Sequence, residues 1–172
     1  MIDTIVLKAV NIVDPNSLRK NEEFLINIDY PMFLNKQNTL FRSENHLVRW
    51  VSYFSKIKKI QRSTQQEFPL AALPWFIDTI EDKFWNHKPD PNALPGDVGE
   101  TATIEGEKIG INPSRNCCAE NLFGYSFWNS SRVNYVSKRA IQSWQIPRYM
   151  LEEGLLDELK KISTNLGLKD YS

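Results

Sequence analysis

Cysteine and histidine are scarce in this chain of 172 residues: two cysteines, side by side at Cys117 and Cys118, and two histidines, His46 and His87. Adjacent cysteines cannot build a disulfide framework, which needs bridges between distant loops. A bond between such neighbours would also strain the peptide that joins them. Four Cys or His ligands at zinc-site spacing are lacking as well. Net charge is absent too, since 21 Lys plus Arg are balanced by 21 Asp plus Glu. The whole molecule therefore gains no global attraction to nucleic acid or to an anionic membrane, and any such binding needs a local patch. No apolar run is long enough to span a bilayer. The opening MIDTIVLKAVNIVD has an acid at Asp3 and no basic leader region, so neither a signal peptide nor a membrane partner is expected. The glycine pairs Gly96/Gly99 and Gly106/Gly110 lack the Gly-Lys-Ser/Thr ending of a phosphate loop. No Gly-x-Ser-x-Gly elbow and no His-Glu-x-x-His pair occurs. Common phosphate-binding, serine-hydrolase and zinc-protease layouts are thereby excluded, and no cofactor or metal is expected. Cysteine usage predicts a reducing, cytoplasmic setting.

What the chain does have is apolar and aromatic mass. Apolar residues make up 41% of it, with 5 Trp, 9 Phe and 6 Tyr. That is enough to offset the ordering entropy of a single domain spanning 1–172. Ser43 to Arg62 carries Leu47, Val48, Trp50, Val51, Phe54, Ile57 and Ile60 at spacings that predict an amphipathic helix, with Ser43 as N-cap. Leu73-Pro74 predicts a second helix, with Phe76, Ile77, Ile80 and Phe84 on its apolar face. Val133 to Trp144 predicts a third, broken by Pro147 before a last helix with Leu151, Leu155, Leu159, Ile162 and Leu166 that stops at Gly167. Strands are predicted for Ile2 to Val13, for the alternating Glu23 to Tyr30 and for the aromatic Leu122 to Trp128. Residues 88–115 are rich in proline and glycine, and within them Glu105-Gly106-Glu107 predicts the turn of a short hairpin. The sum is an α+β fold, a small and mainly antiparallel sheet packed with three to four amphipathic helices.

Two clusters bear on catalysis. Cys117 or Cys118 would serve a thiol-dependent or hydrolytic enzyme if a histidine, a cation or a helix N-terminus lowered its pKa, and Arg115 is close in sequence. Buried small apolar residues are the simpler account of both. Asp78, Glu81 and Asp82 share one helical face and form the nearest thing to a magnesium cluster, but an ordinary solvated face looks the same.

Charge distribution says more. From Arg49 to Arg62 there are five basic residues and no acid, a basic helix for nucleic acid to approach, although cations near a helix C-terminus are favoured by the dipole alone. Because one patch on a neutral chain is weak support, nucleic acid is the lesser expectation. From Pro89 to Gly110 the acids Asp90, Asp97, Glu100, Glu105 and Glu107 face Lys108 alone. With Trp128 they form the predicted contact surface of a non-enzymatic binding module, one that offers carboxylates and an edge strand to a basic protein. Immunity- and inhibitor-type proteins work by the same logic.

Overall fold

A computed structural model describes residues 7, 12–33, 35–86, 99–133 and 141–172. The chain divides into two compact units. The first comprises residues 1–70 and 129–142, the second 71–128 and 143–172. The predicted strand Ile2 to Val13 lies almost wholly outside the described residues, where Leu7 alone forms an isolated parallel bridge to Arg132.

The first unit carries β1 (Glu22–Asn27), β2 (Lys36–Ser43), β3 (His46–Ser55) and β4 (Ile60–Pro69), paired in that order and antiparallel throughout. The helix predicted for Ser43 to Arg62 is therefore β3, a turn at 56–59 and the start of β4. Leu47 and Val48 point to opposite faces of the pleat, and both are fully buried. A strand covered on both faces loses its alternation, and its apolar residues then fall at spacings that also fit a helix. The β-branched and aromatic content of Val48, Trp50, Val51, Tyr53 and Phe54 is the signal that decides for a strand. Ser43, read as an N-cap, instead ends β2, and Glu44, in the left-handed region at φ 52, opens the tight turn into β3.

The second unit starts with α1 (Ala72–Asp78), continued as a π-helical stretch over Thr79–Trp85. Its buried Phe76, Ile77 and Ile80 are the apolar face the spacing predicts. Then come β5 (Glu100–Ile104) and β6 (Glu107–Ser114), followed in chain order by β7 (Gly124–Val133) and β8 (Ile141–Pro147). Together they make a second four-stranded sheet in the order β5-β6-β7-β8, and β7 and β8 contribute residues to both units. The helix predicted for Val133 to Trp144 is thus not formed where the chain is described. Residues 134–140 lie outside the description, and from Ile141 the chain is extended with Gln142, Trp144 and Ile146 buried at every second position. Pro147 opens the last helical region, α2 (Arg148–Met150), a π-helical stretch over Leu151–Leu155 and α3 (Leu156–Asn165). Gly167 at φ 69 stops it as predicted, with its N–H and that of Leu168 donating to the carbonyls of Thr164 and Ser163. Within this unit Phe76, Phe127 and Trp144 pack ring against ring, with centroids 4.8 to 6.3 Å apart. Each such fully buried side chain contributes about 1.5–3 kcal/mol.

Strand pairing thus dominates a chain predicted as α+β with three to four helices on one small sheet. The correction is two four-stranded sheets and two helical regions. No described helix is long and apolar enough to cross a membrane.

Candidate functional site

The β5–β6 hairpin forms where Gly106 predicts it. Glu105 and Gly106 sit at φ 50 and 80, the left-handed pair that a two-residue hairpin turn demands. Directly opposed residues share a face, so the register places Glu100 with Ile111, Ala102 with Ile109 and Ile104 with Glu107 on one side. Ile109 and Ile111 are fully buried there, and Glu107 is drawn in with them to 3% exposure. Of the predicted contact residues, Glu107 is one that period two turns inward, where it is buried and has an interaction partner. Thr101, Thr103 and Lys108 face solvent on the other side. Trp128 lies half-buried on that side, its Nε1–H donating to Asn112 Oδ1 at 3.0 Å. Its ring rests on the backbone of Gly110, where a Cβ would come within 2.2 Å of a ring carbon. Glu105 is exposed at the turn and Glu100 half-buried at the start of β5, and neither has an ion-pair partner among the described residues. Asp90 and Asp97 lie outside the described residues. The structure thus places Glu100 and Glu105 at opposite ends of β5, Glu100 on the inward side with Ile111, and Trp128 on β7 over the solvent side of β6. Beyond β6, β5 pairs with no other strand among the described residues.

The basic stretch forms the opposite kind of surface. Lys36, Tyr53 and Arg62 stand in one cross-strand row, and beyond them the β3–β4 turn carries Lys56, Lys58 and Lys59, all exposed. Ile57 at the tip is 95% exposed, and Phe54 and Ile60 beside it are 47% and 48% exposed. Among the described residues none of the three turn lysines has an ion-pair partner. The helical part of the second unit differs. Lys160 pairs with Glu81, Lys169 with Asp78 at 2.7 Å and Arg148 with Glu152 at 2.6 Å. Asp78 also accepts from the Tyr171 hydroxyl at 2.9 Å. Burial first, and then that bond to Asp78, push the Tyr171 phenol well above its usual range. Asp78 and Glu81 are thus spent on tying α3 and the following tail to α1, and no group of three His, Cys, Asp or Glu side chains converges among the described residues.

Cys117 and Cys118 are unbridged, with sulfurs 4.0 Å apart. Cys117 is fully buried, and its Sγ–H also points to the Tyr125 carbonyl at 3.8 Å. The hydrogen bond with the Cys118 side chain, followed by burial, pushes the Cys117 thiol far above its ordinary value. That is the reverse of what a thiolate nucleophile needs. His46 does not supply a base: its Nε2 lies 2.9 Å from Arg132 Nη2, and since arginine only donates, that nitrogen is the acceptor. His87 lies outside the described residues.

One buried cluster escapes a reading of the sequence. Glu67 on β4 has no exposure, and its carboxylate accepts from Gln65 Nε2 at 2.7 Å and lies 3.9 Å from Arg132 Nη1. Its main chain is held as well, the N–H by Gln142 Oε1 at 2.6 Å and the carbonyl by Asn129 Nδ2 at 2.8 Å. Each polar group finds a partner, which is why the charge tolerates burial. The network anchors β4 opposite Val48, at the root of the basic hairpin. No known protein-family model matches the chain, and no curated protein shows significant similarity to it.

Proposed function

We propose that this chain is a non-enzymatic binding protein of the cytoplasm, of immunity or inhibitor type, that takes a basic protein partner on the β5–β6 hairpin. The observation that carries the reading is the outer edge of β5, which no described strand covers and which has a carboxylate lacking an ion-pair partner among the described residues at either end, Glu100 and Glu105. An incoming strand would gain main-chain hydrogen bonds along β5, and its cations would meet the two glutamates. Trp128, fixed by Asn112 and Gly110 of β6, adds a rigid amphipathic ring on the solvent face of the same sheet, on the far side of β6 from that edge. The test is capture of partners from the native host with the intact chain and with the Glu100→Lys, Glu105→Lys double variant, followed by a salt titration of the captured complex. A basic protein held by the parent, released by salt and missed by the double variant is the expected result. A partner held equally by both, or with no salt dependence, would contradict the reading. The thiol-enzyme alternative is disfavoured by the burial and raised pKa of Cys117.

A further inference from the structure

The β3–β4 tip exposes Ile57, the most exposed of the large apolar side chains described, together with three lysines. We infer that this tip docks on an anionic phospholipid surface, with Ile57, Phe54 and Ile60 entering the headgroup–acyl boundary and Lys56, Lys58 and Lys59 meeting lipid phosphates. An isoleucine that is 95% exposed at the end of a hairpin has no packing role in the fold, and its burial would be gained only on a partner. Apolar groups on a surface element sink about 5–10 Å into such a boundary, while lysines flanking them reach back to the headgroups. From Asn45 to Gln66 the chain contains no acid, so nothing along the hairpin offsets the attraction. Lys36 and Arg62 beside Tyr53 extend the cationic collar one row up the sheet. The foremost residue decides against nucleic acid as the occupant. A base stacks on an aromatic ring or a guanidinium, and those of this patch, Phe54, Tyr53 and Arg62, stand behind an aliphatic tip residue whose nearest cations are lysines. The neutrality of the whole chain poses no obstacle, since a polybasic segment acts within about a Debye length of the surface. The inference does not depend on the β5–β6 reading, which concerns other residues and another partner.

The test is sedimentation of the full chain with vesicles of phosphatidylcholine alone and of phosphatidylcholine with one third phosphatidylserine. Three variants accompany the parent: Lys56→Glu/Lys58→Glu/Lys59→Glu, Ile57→Ser and Glu105→Lys. Binding to the anionic vesicles only is expected. One lysine at an anionic surface accounts for about a fivefold change in partitioning, so losing three already weakens binding by about a hundredfold, and replacing them with glutamates should weaken it by at least that much. Ile57→Ser should weaken it by about tenfold with no change in charge, and Glu105→Lys should leave it intact. The substituted side chains are exposed, and unchanged melting curves would confirm that each variant is folded. Failure to bind anionic vesicles, equal binding by the triple-lysine variant, or equal binding by Ile57→Ser would each overturn the inference. So would binding of the parent to single-stranded RNA in place of vesicles, lost in the triple-lysine variant.

Discussion

The two hairpins differ in what they show and in how they are held. The β3–β4 hairpin ends in a turn of lysines around an exposed isoleucine, and a buried Glu67–Arg132 pair with its amide partners anchors its root. The β5–β6 hairpin ends in Glu105-Gly106, shows threonines on its solvent face, and is anchored by Trp128 lying on Gly110. At the tips, Lys56, Lys58 and Lys59 on one side and Glu105 on the other lack ion-pair partners among the described residues, while in the helical part of the second unit Arg148, Lys160, Lys161 and Lys169 pair with acids three, four or many residues away. Exposed ion pairs contribute about 0–1 kcal/mol each, so nothing in folding requires the hairpins to be arranged otherwise. Leaving like charges together costs little in stability, and the proposed partners of the two hairpins are of opposite charge.

The largest effect expected is at the root of the basic hairpin. Glu67→Ala leaves Arg132 buried without its carboxylate and should cost about 3–5 kcal/mol, read as a fall in the denaturant midpoint. A loss under about 1 kcal/mol would mean that the network is ornamental. At the other root, Gly110→Ala drives a methyl into the Trp128 ring and should cost about 1–3 kcal/mol, with a change in the near-ultraviolet circular dichroism of tryptophan. Next in size is an alkaline effect in the second unit. The Cys117 thiol is pushed above its ordinary value of 9.0 by its bond to Cys118 and by burial. A raised pKa stabilises the fold fully below that value, and the contribution fades as pH rises past it. Stability should therefore fall above about pH 9, less in Cys117→Ala, and thiol reagents should label Cys117 only after denaturation. Rapid labelling of the folded chain at Cys117 would restore the enzyme reading. The smallest effects expected are at the hairpin tips, where the triple-lysine reversal and Glu105→Lys should each shift stability by no more than about 0.5 kcal/mol. A larger shift from either would show that the tip charges are paired within the fold.

The acidic hairpin was legible because Gly106 marks its turn and β5 and β6 are short and bounded. The basic hairpin was not, because Lys56-Ile57-Lys58-Lys59 contains no Gly, Pro, Asn or Asp, and Lys59 takes the left-handed region at φ 50 without the usual residue. Burial of β3 on both faces then removed the alternation that would have betrayed a strand. Val133 to Trp144 misled for a related reason: Val133, Val136, Ala140, Ile141 and Trp144 fit a helical stripe, yet Gln142, Trp144 and Ile146 are inward at period two, with a buried glutamine among them. A polar residue at a core position breaks the strand pattern until its partner, here the Glu67 backbone, is known. The last helix and its stop at Gly167 were readable because periodicity and cap agree. The run of acids shows charge along the chain but carries no information on facing. One register assignment, Ile104 with Glu107, turns Glu107 into the core.

The central claim is that the two hairpins act as separate surfaces of opposite preference. The direct measurement crosses two reversals, Lys56→Glu/Lys58→Glu/Lys59→Glu and Glu100→Lys/Glu105→Lys, with two probes, phosphatidylserine vesicles and the basic protein captured from the host. Each reversal should abolish binding to one probe and leave the other within about twofold. Loss of both probes in a folded variant, or of neither, would contradict it.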